Sequence, residues 1–440
     1  MADLIPDILL AYVTLFQTHF TKPSFTYFGG YILSLLITRG RKTMSRVANT
    51  CFFVDRHLSS WERFLSENKW DLNAVAGTLV ETLVTKMGDS LKVHGAFLAS
   101  LDPTLIAKNG NRASGIQRWK EHSGNADRGG SIRGHHWAVL GLISFSATMG
   151  RYLCFPVLMR LISGQLKPSQ FFVDPQGVAT VATIWDCVYP LIWQLHEYLN
   201  HAPLRVVADA YFSKAPFINP LLNRGIHVVT RLRKDAVGWE DPSPGQRSDA
   251  KRGKKWKLAR LIDHLPVETL TVNLYGEKVQ VRAVSCVLWL RNICQKVKVV
   301  VVESRGRPVI LLSTDLALSA AQVIEIYGAR YTIEIAIRDL KGSFGLGDYQ
   351  CYLGTAIHRF VHLACVAFNI LRLIQLEEEP GDWLSPAPKG TSPLSFEHLR
   401  HELQRHIIQR ILSPKSGENP NLEATETEPP ELDAIMRIVG

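Results

Sequence analysis

No two of the seven cysteines (51, 154, 187, 286, 294, 351 and 365) form a CxxC pair. That scatter argues against a zinc site or a disulfide framework and suits a reducing compartment. The chain also lacks a GxxxxGK[ST] loop, so use of a nucleoside triphosphate is not expected. Its serines and cysteines form no nucleophile elbow. His358 and His362 have the i,i+4 spacing of a zinc helix, but Arg359 follows the first where a zinc protease needs Glu. His135-His136 reads as a pair opening a strand rather than a ligand set. The longest apolar runs, Tyr27–Ile37 and Ala138–Met149, contain Gly or Ser and fall short of the ~20 residues needed to span a bilayer. The opening MADLIPDILLAYV has neither the basic start nor the small-residue cleavage site of a secretory signal. No internal repeat is visible. A cytoplasmic protein with no membrane partner is expected.

What the chain does have is positive charge. Fifty Lys and Arg against 40 Asp and Glu leave a formal net charge of +10. That balance favours a polyanionic partner, because each cation that neutralises a phosphate releases a bound counterion. Residues 1–94 show apolar residues at three- and four-residue intervals and few strand signals, which predicts a helical region. Within it, Thr38–Arg46 sets four basic residues beside a Ser/Thr-rich helix start. Arg41 and Lys42 are candidate phosphate contacts there, although a solvated turn between helices would read the same way.

From Gly95 the pattern becomes α/β. Short apolar runs precede Asp102 and Asp209, and His136–Thr148 and Arg151–Met159 read as antiparallel strands around Met149-Gly150. Helices are expected near 178–200 and 213–223, and a strand at Ile226–Leu232. Residues 233 to about 265 read as a strongly basic loop that includes Lys254, Lys255 and Trp256. Strands follow at Glu268–Leu274, Val279–Leu290, Val297–Val302 and Pro308–Leu312. Helical periodicity returns over Ser319–Lys341 and Thr355–Leu376. The expected organisation is therefore a helical region (1–94), an α/β core in two parts (95–232 and 316–376) and a β-rich insertion (233–315). A linker, a helix near 394–413 and an acidic tail complete the chain (377–440).

Candidate chemistry centres on carboxylates. Asp102 and Asp209 each follow a short apolar strand, where ligand-binding residues of open α/β sheets collect, although a lone Asp there is commonly a cap or turn former. Asp127 and Asp174 lie in the same half; Asp174, after Phe171-Phe172-Val173, is the rival for the first position. Tyr327, Arg330, Glu334 and Lys341 are spaced by three, four and seven residues, and at ~100° per residue they share a sector of about 60°. Ile326, Ile333, Ile337 and Leu340 form an apolar stripe on the adjoining face. The helix can thus pack on a core while its polar edge faces a cleft. A plain i,i+4 ion pair between Arg330 and Glu334 is the simpler alternative.

The spacing Tyr-x2-Arg-x3-Glu-x6-Lys resembles the signature of the insertion-sequence-4-like DDE transposases, and all four positions match without a gap. LSTDLALSAAQVIEIYGARYTIE around Glu334, ADAYFSKAPFINPLLNRGIHVVTRLR around Asp209 and LDPTLIAKNG around Asp102 are similar to that group, the last to its 701-like subgroup. The resemblance spans about residues 95–375. It implies an RNase H-like mixed-sheet core with a β-rich insertion between the second Asp and the Glu. It also implies metal-dependent cleavage at transposon ends and strand transfer into target DNA. Asp102, Asp209 and Glu334 would hold two Mg²⁺ ions, with Mn²⁺ able to substitute. Arg330, Lys341 and Tyr327 would hold phosphates of the transposon end, and Trp239, Trp256 or Trp289 could stack a flipped base. The implied partners are double-stranded DNA, as inverted-repeat ends and target, and a second copy of the chain in a synaptic complex on nucleoid DNA. Two other readings stay open: a nuclease of the same fold that does not join DNA, and a DNA-binding derivative without catalysis.

Overall fold

The structure is a computed structural model describing residues 5–52, 54, 56–120, 130–162, 184–243, 252–304, 307–377, 383–384 and 395–412. The rival carboxylates Asp127 and Asp174, the basic residues Arg247 and Lys251, and the acidic tail lie outside these residues.

The N-terminal region is helical, as its periodicity predicts: α1 (Asp7–Thr14), α2 (Lys22–Ile37), α3 (Met44–Thr50), α4 (Leu58–Ser66) and α5 (Leu72–Met87). Its core is aromatic. Tyr31, Trp61 and Phe64 are fully buried, and the Phe64 ring stacks on Trp70 at 5.4 Å. Aromatic pairs of this kind contribute roughly 0.5–1.5 kcal/mol beyond the area they bury.

Strands β1 (Lys92–Val93), β2 (Ala96–Ala107), β3 (Gln117–Lys120), β4 (Ser131–Ser146) and β5 (Arg151–Ile162) follow, then α6 (Ile184–Tyr198), β6 (Leu204–Ala208), α7 (Ala215–Leu222) and β7 (His227–Arg231). The spatial order β5–β4–β2–β6–β7 is an RNase H-like core: β5, β4 and β2 are antiparallel, while β6 and β7 run parallel to β2. Strand β2 does not stop before Asp102, as the sequence suggests, but runs through it and Pro103. Its ladder to β6 ends at Leu101, so beyond that point β4 alone pairs with it. A strand with one free side can carry a proline that donates no hydrogen bond.

The segment between β7 and the next core helix forms β8 (Val237–Trp239), β9 (Lys255–Lys257), β10 (Glu268–Leu274), β11 (Glu277–Leu290), β12 (Lys296–Ser304) and β13 (Arg307–Ser313). Rather than standing apart, these strands extend the same sheet: β13 pairs with β7, giving 13 strands among the described residues. The stretch expected as a basic loop contributes β8 and β9, which pair antiparallel, and a 3-10 turn over Leu258–Asp263.

Helices α8 (Ala320–Ala329), α9 (Tyr331–Ser343), α10 (Gly354–Leu376) and α11 (Phe396–Leu412) complete the described chain. Helix α8 opens with a full capping box, Ser319 and Gln322 each satisfying the other's backbone N–H. The single helix expected over 319–341 is broken at Arg330, where the amides of Arg330 and Ile333 bond three residues back instead of four. Helix α10 has the length and composition to cross a membrane, yet its most apolar stretch is wholly buried in this fold. Its His358 and His362 explain themselves structurally. Their Nε2 atoms accept the N–H groups of Leu161 and Met159 at 3.4 and 3.3 Å, on the side of β5 away from β4. Their Nδ1 atoms meanwhile bond the carbonyls of Gly354 and His358 at 2.8 and 2.9 Å. Residues four apart on a helix rise about 6 Å, close to the two-residue repeat of a strand. The pair therefore caps an edge, and needs no metal.

Candidate active site

Asp102 and Asp209 lie side by side because β2 and β6 are adjacent and parallel with Leu101 opposite Ala208. Asp102 is the next residue of β2. Asp209 leaves β6 as the cap of a 3-10 turn over Ala210–Phe212, its Oδ1 accepting the Tyr211 N–H at 3.0 Å. The Thr230 hydroxyl on β7 donates to the Asp209 carbonyl at 2.8 Å and fixes the backbone there. Glu334 comes from the first turn of α9, which packs on β2 and β5 through buried Ile333, Ala336, Ile337 and Leu340. The apolar stripe legible in the sequence is thus what holds the acidic edge over the sheet.

Arg330 joins the carboxylates. Its Nη2 lies 2.6 Å from Glu334 Oε1, and its Nη1 lies 3.7 Å from Asp102 Oδ1. The Arg330 Nε is buried with no hydrogen-bond partner. Burial works against the guanidinium charge, but the Glu334 hydrogen bond and charge more than offset it and raise its pKa. Burial also pushes Asp102 up to about 7. There Arg330 and Lys341 pull it down, while Glu334 and Asp209 push it up. Asp209 is raised by burial against the Tyr211 N–H and Arg330, with Glu334 adding to the rise. Glu334 is therefore close enough to oppose the ionisation of both aspartates.

The other expected residues fall into two groups. Tyr327, at the end of α8, is half-buried, with the Arg330 guanidinium 5.9 Å from its ring centre. Lys341 stands at the rim, its ammonium turned back to the Leu105 carbonyl at 3.0 Å and its pKa lowered by burial against the pull of Asp102. Arg41 is exposed beside Asp348 at 3.6 Å and lines an open cleft of about 740 Å³ together with Arg39 and Lys341. Lys42 also lines that cleft, but not as a free cation. It is buried, its ammonium donates to the Gly40 carbonyl at 2.8 Å, and burial lowers its pKa to about 8.

Lys254, Lys255 and Trp256 are not brought to the carboxylates. Strand β9 is six strand positions from β6, roughly 29 Å along the sheet at 4.8 Å per strand. The Trp256 indole N–H donates to Glu240 at 2.7 Å and its face carries the Lys254 ammonium at 3.8 Å. Sequence reasoning missed Tyr211, whose ring is 47% exposed beside Asp209, stacked on Trp185 with Lys214 4.1 Å above it. Its position two residues after the acid was the available signal.

All the acids here offer hard oxygen donors, the kind Mg²⁺ and Mn²⁺ take. Among the described residues, however, no three Asp, Glu, His or Cys side chains gather tightly enough to hold one ion. The guanidinium of Arg330 occupies the space between two of them. The donor set fits a divalent cation in kind, and Arg330 stands against two of its three members.

Together the sheet order and the adjacent aspartates define an RNase H-like fold with an acidic site at neighbouring strand ends. The family model described as DDE superfamily endonuclease matches residues 16–291, and the chain belongs to that family. The match includes Asp102 and Asp209 and ends before Glu334. Members of this superfamily act on DNA and generally use divalent metal ions. No curated protein matches the chain.

Proposed function

We propose that this protein is a DNA transposase of the insertion-sequence-4-like group, cutting at transposon ends and joining them to target DNA. The observation that carries the reading is the register of Leu101 with Ala208, which sets Asp102 beside Asp209 under the Glu334 edge of α9. Asp102, Asp209 and Glu334 would hold two Mg²⁺ ions, which when bound activate the attacking oxygen and stabilise the leaving 3′-oxygen. The chain's own work is positioning. The three carboxylates, two at adjacent strand ends and one on a helix, would hold the ions, and the cationic and hydroxyl side chains beside them would orient the reacting phosphate. Arg330 offers a planar fork to a phosphate, Lys341 a point charge at the rim, and Tyr327 a hydroxyl beside them.

Residues 1–94, with Arg41 exposed at their edge, would bind the transposon end, and a second copy of the chain would bridge two ends in a synaptic complex. The work would be done on nucleoid DNA in the cytoplasm. The distance of Trp256 from the carboxylates assigns it no base in its own protomer's site. A nuclease without joining activity is the second reading, favoured by the endonuclease description of the family. A labelled inverted-repeat end with Mg²⁺ and a target plasmid separates the two. Cleavage followed by insertion supports transposition, cleavage alone supports the nuclease, and binding alone refutes both.

A further inference from the structure

We infer that Arg330 is a resident cation that fills the metal position between Asp102 and Glu334 until a DNA phosphate draws it away. The inference rests on the reading of these carboxylates as metal ligands. A guanidinium 2.6 Å from Glu334 and 3.7 Å from Asp102 places one positive charge against the two acids that a divalent ion would have to share. An ion entering between them meets like charge at close range, so the two cations exclude each other. Without Arg330, Asp102 would keep Lys341 as the remaining cation acting on it among the described residues, against the charges of Glu334 and Asp209.

Two features suit Arg330 to leave. Its Nε is buried without a partner, so its present position uses only part of the five-donor fork. A phosphate can engage two of those donors at once and would satisfy the guanidinium more fully. Arg330 also stands at the junction of α8 and α9, where the backbone bonding shifts register, rather than inside either helix. The consequence is linkage. DNA that takes Arg330 opens the ion site, and ions in the site release Arg330 to DNA, each tightening the other by the same factor. Such a device keeps metal-dependent cutting low until a DNA end is seated.

The test is Mn²⁺ binding to the full chain without DNA, read from the electron paramagnetic resonance of free Mn²⁺. Wild type, Arg330→Gln, Arg330→Lys, Asp102→Asn and Asp209→Asn are compared. Arg330→Gln is expected to bind Mn²⁺ about tenfold tighter than wild type, with Arg330→Lys between them, a coupling within the usual range for linked sites. The lysine variant keeps the charge and carries the test if the glutamine variant does not fold. Unchanged or weaker binding in the folded Arg330 variants, with wild-type binding still lost in Asp102→Asn, overturns the placeholder and leaves the metal site standing. Wild-type binding indifferent to both aspartate variants overturns the site and the inference together.

Discussion

Acidification should unlock the edge of β5. His358 and His362 are buried, and burial lowers their pKa values from 6.5 to about 3 and about 4. The sign follows from which state binds protons. Above pH 6.5 both imidazoles are neutral whether folded or unfolded, and the pair contributes no pH dependence. As pH falls below 6.5 the unfolded chain takes up protons that the folded chain refuses, so stability is lost downward, until the folded pKa values are reached. At about pH 5 the unfolded histidines are some 1.5 units below their pKa, which costs about 2 kcal/mol each and about 4 kcal/mol for the pair. That is a large share of a typical folding free energy of roughly 5–15 kcal/mol. Protonation would also convert each Nε2 from an acceptor into a donor facing the N–H of Leu161 or Met159, while Arg160 disfavours the added charge. Urea denaturation at about pH 7.5 and pH 5 measures the loss. The double variant His358→Gln/His362→Gln keeps an acceptor but does not titrate. Its stability should fall by about 4 kcal/mol less than wild type over that interval. Equal losses in the two proteins would refute the edge-capping account. His135, lowered to about 4 by burial, is present in both and cancels.

Glu334→Gln should reduce end cleavage at least about a hundredfold, some 2.7 kcal/mol of barrier, while filter binding of DNA is retained. Loss of binding instead would remove Glu334 from the catalytic role proposed for it. Lys341→Met should weaken DNA binding across all sequences and reduce the salt dependence by about one charge, read from binding isotherms over a range of NaCl. Arg205→Ala should destabilise the fold by about 3–5 kcal/mol in urea melts, because Asp315 would keep a buried charge without its partner at 2.7 Å. Gly134→Ala should cost roughly 1–3 kcal/mol or more, since its Cβ would stand 2.0 Å from the Ile106 carbonyl oxygen on the strand that carries Asp102. Its thermal midpoint decides that case.

What the sequence makes legible here is whatever a short window can encode. Glu268–Leu274 is a strand with the very bounds that its alternating pattern predicts, and Ile333, Ile337 and Leu340 of the expected stripe are the buried face of α9, while Ile326, beyond the break at Arg330, is buried in a separate cluster. The windows failed where a distant partner decides. Lys255–Trp256–Lys257 looks like basic loop, and becomes a strand only because β8 pairs with it. Pro103 looks like a terminator, and is tolerated only because β6 has ended beside it.

The site shows the same division more sharply. Helical spacing found Arg330 and Glu334 as neighbours, and their ion pair is local. The contact of Arg330 with Asp102 joins residues 228 positions apart, and no local pattern announces it. Yet that contact changes the chemistry of the site most, because it turns an expected cluster of three acids into two acids and a cation beside a third. A helical signature read as four phosphate and metal contacts thereby gains an internal opponent. Arg330 can serve the phosphate or the carboxylates, but its one guanidinium cannot do both at full strength. The order in which DNA and metal arrive therefore becomes a property of the fold.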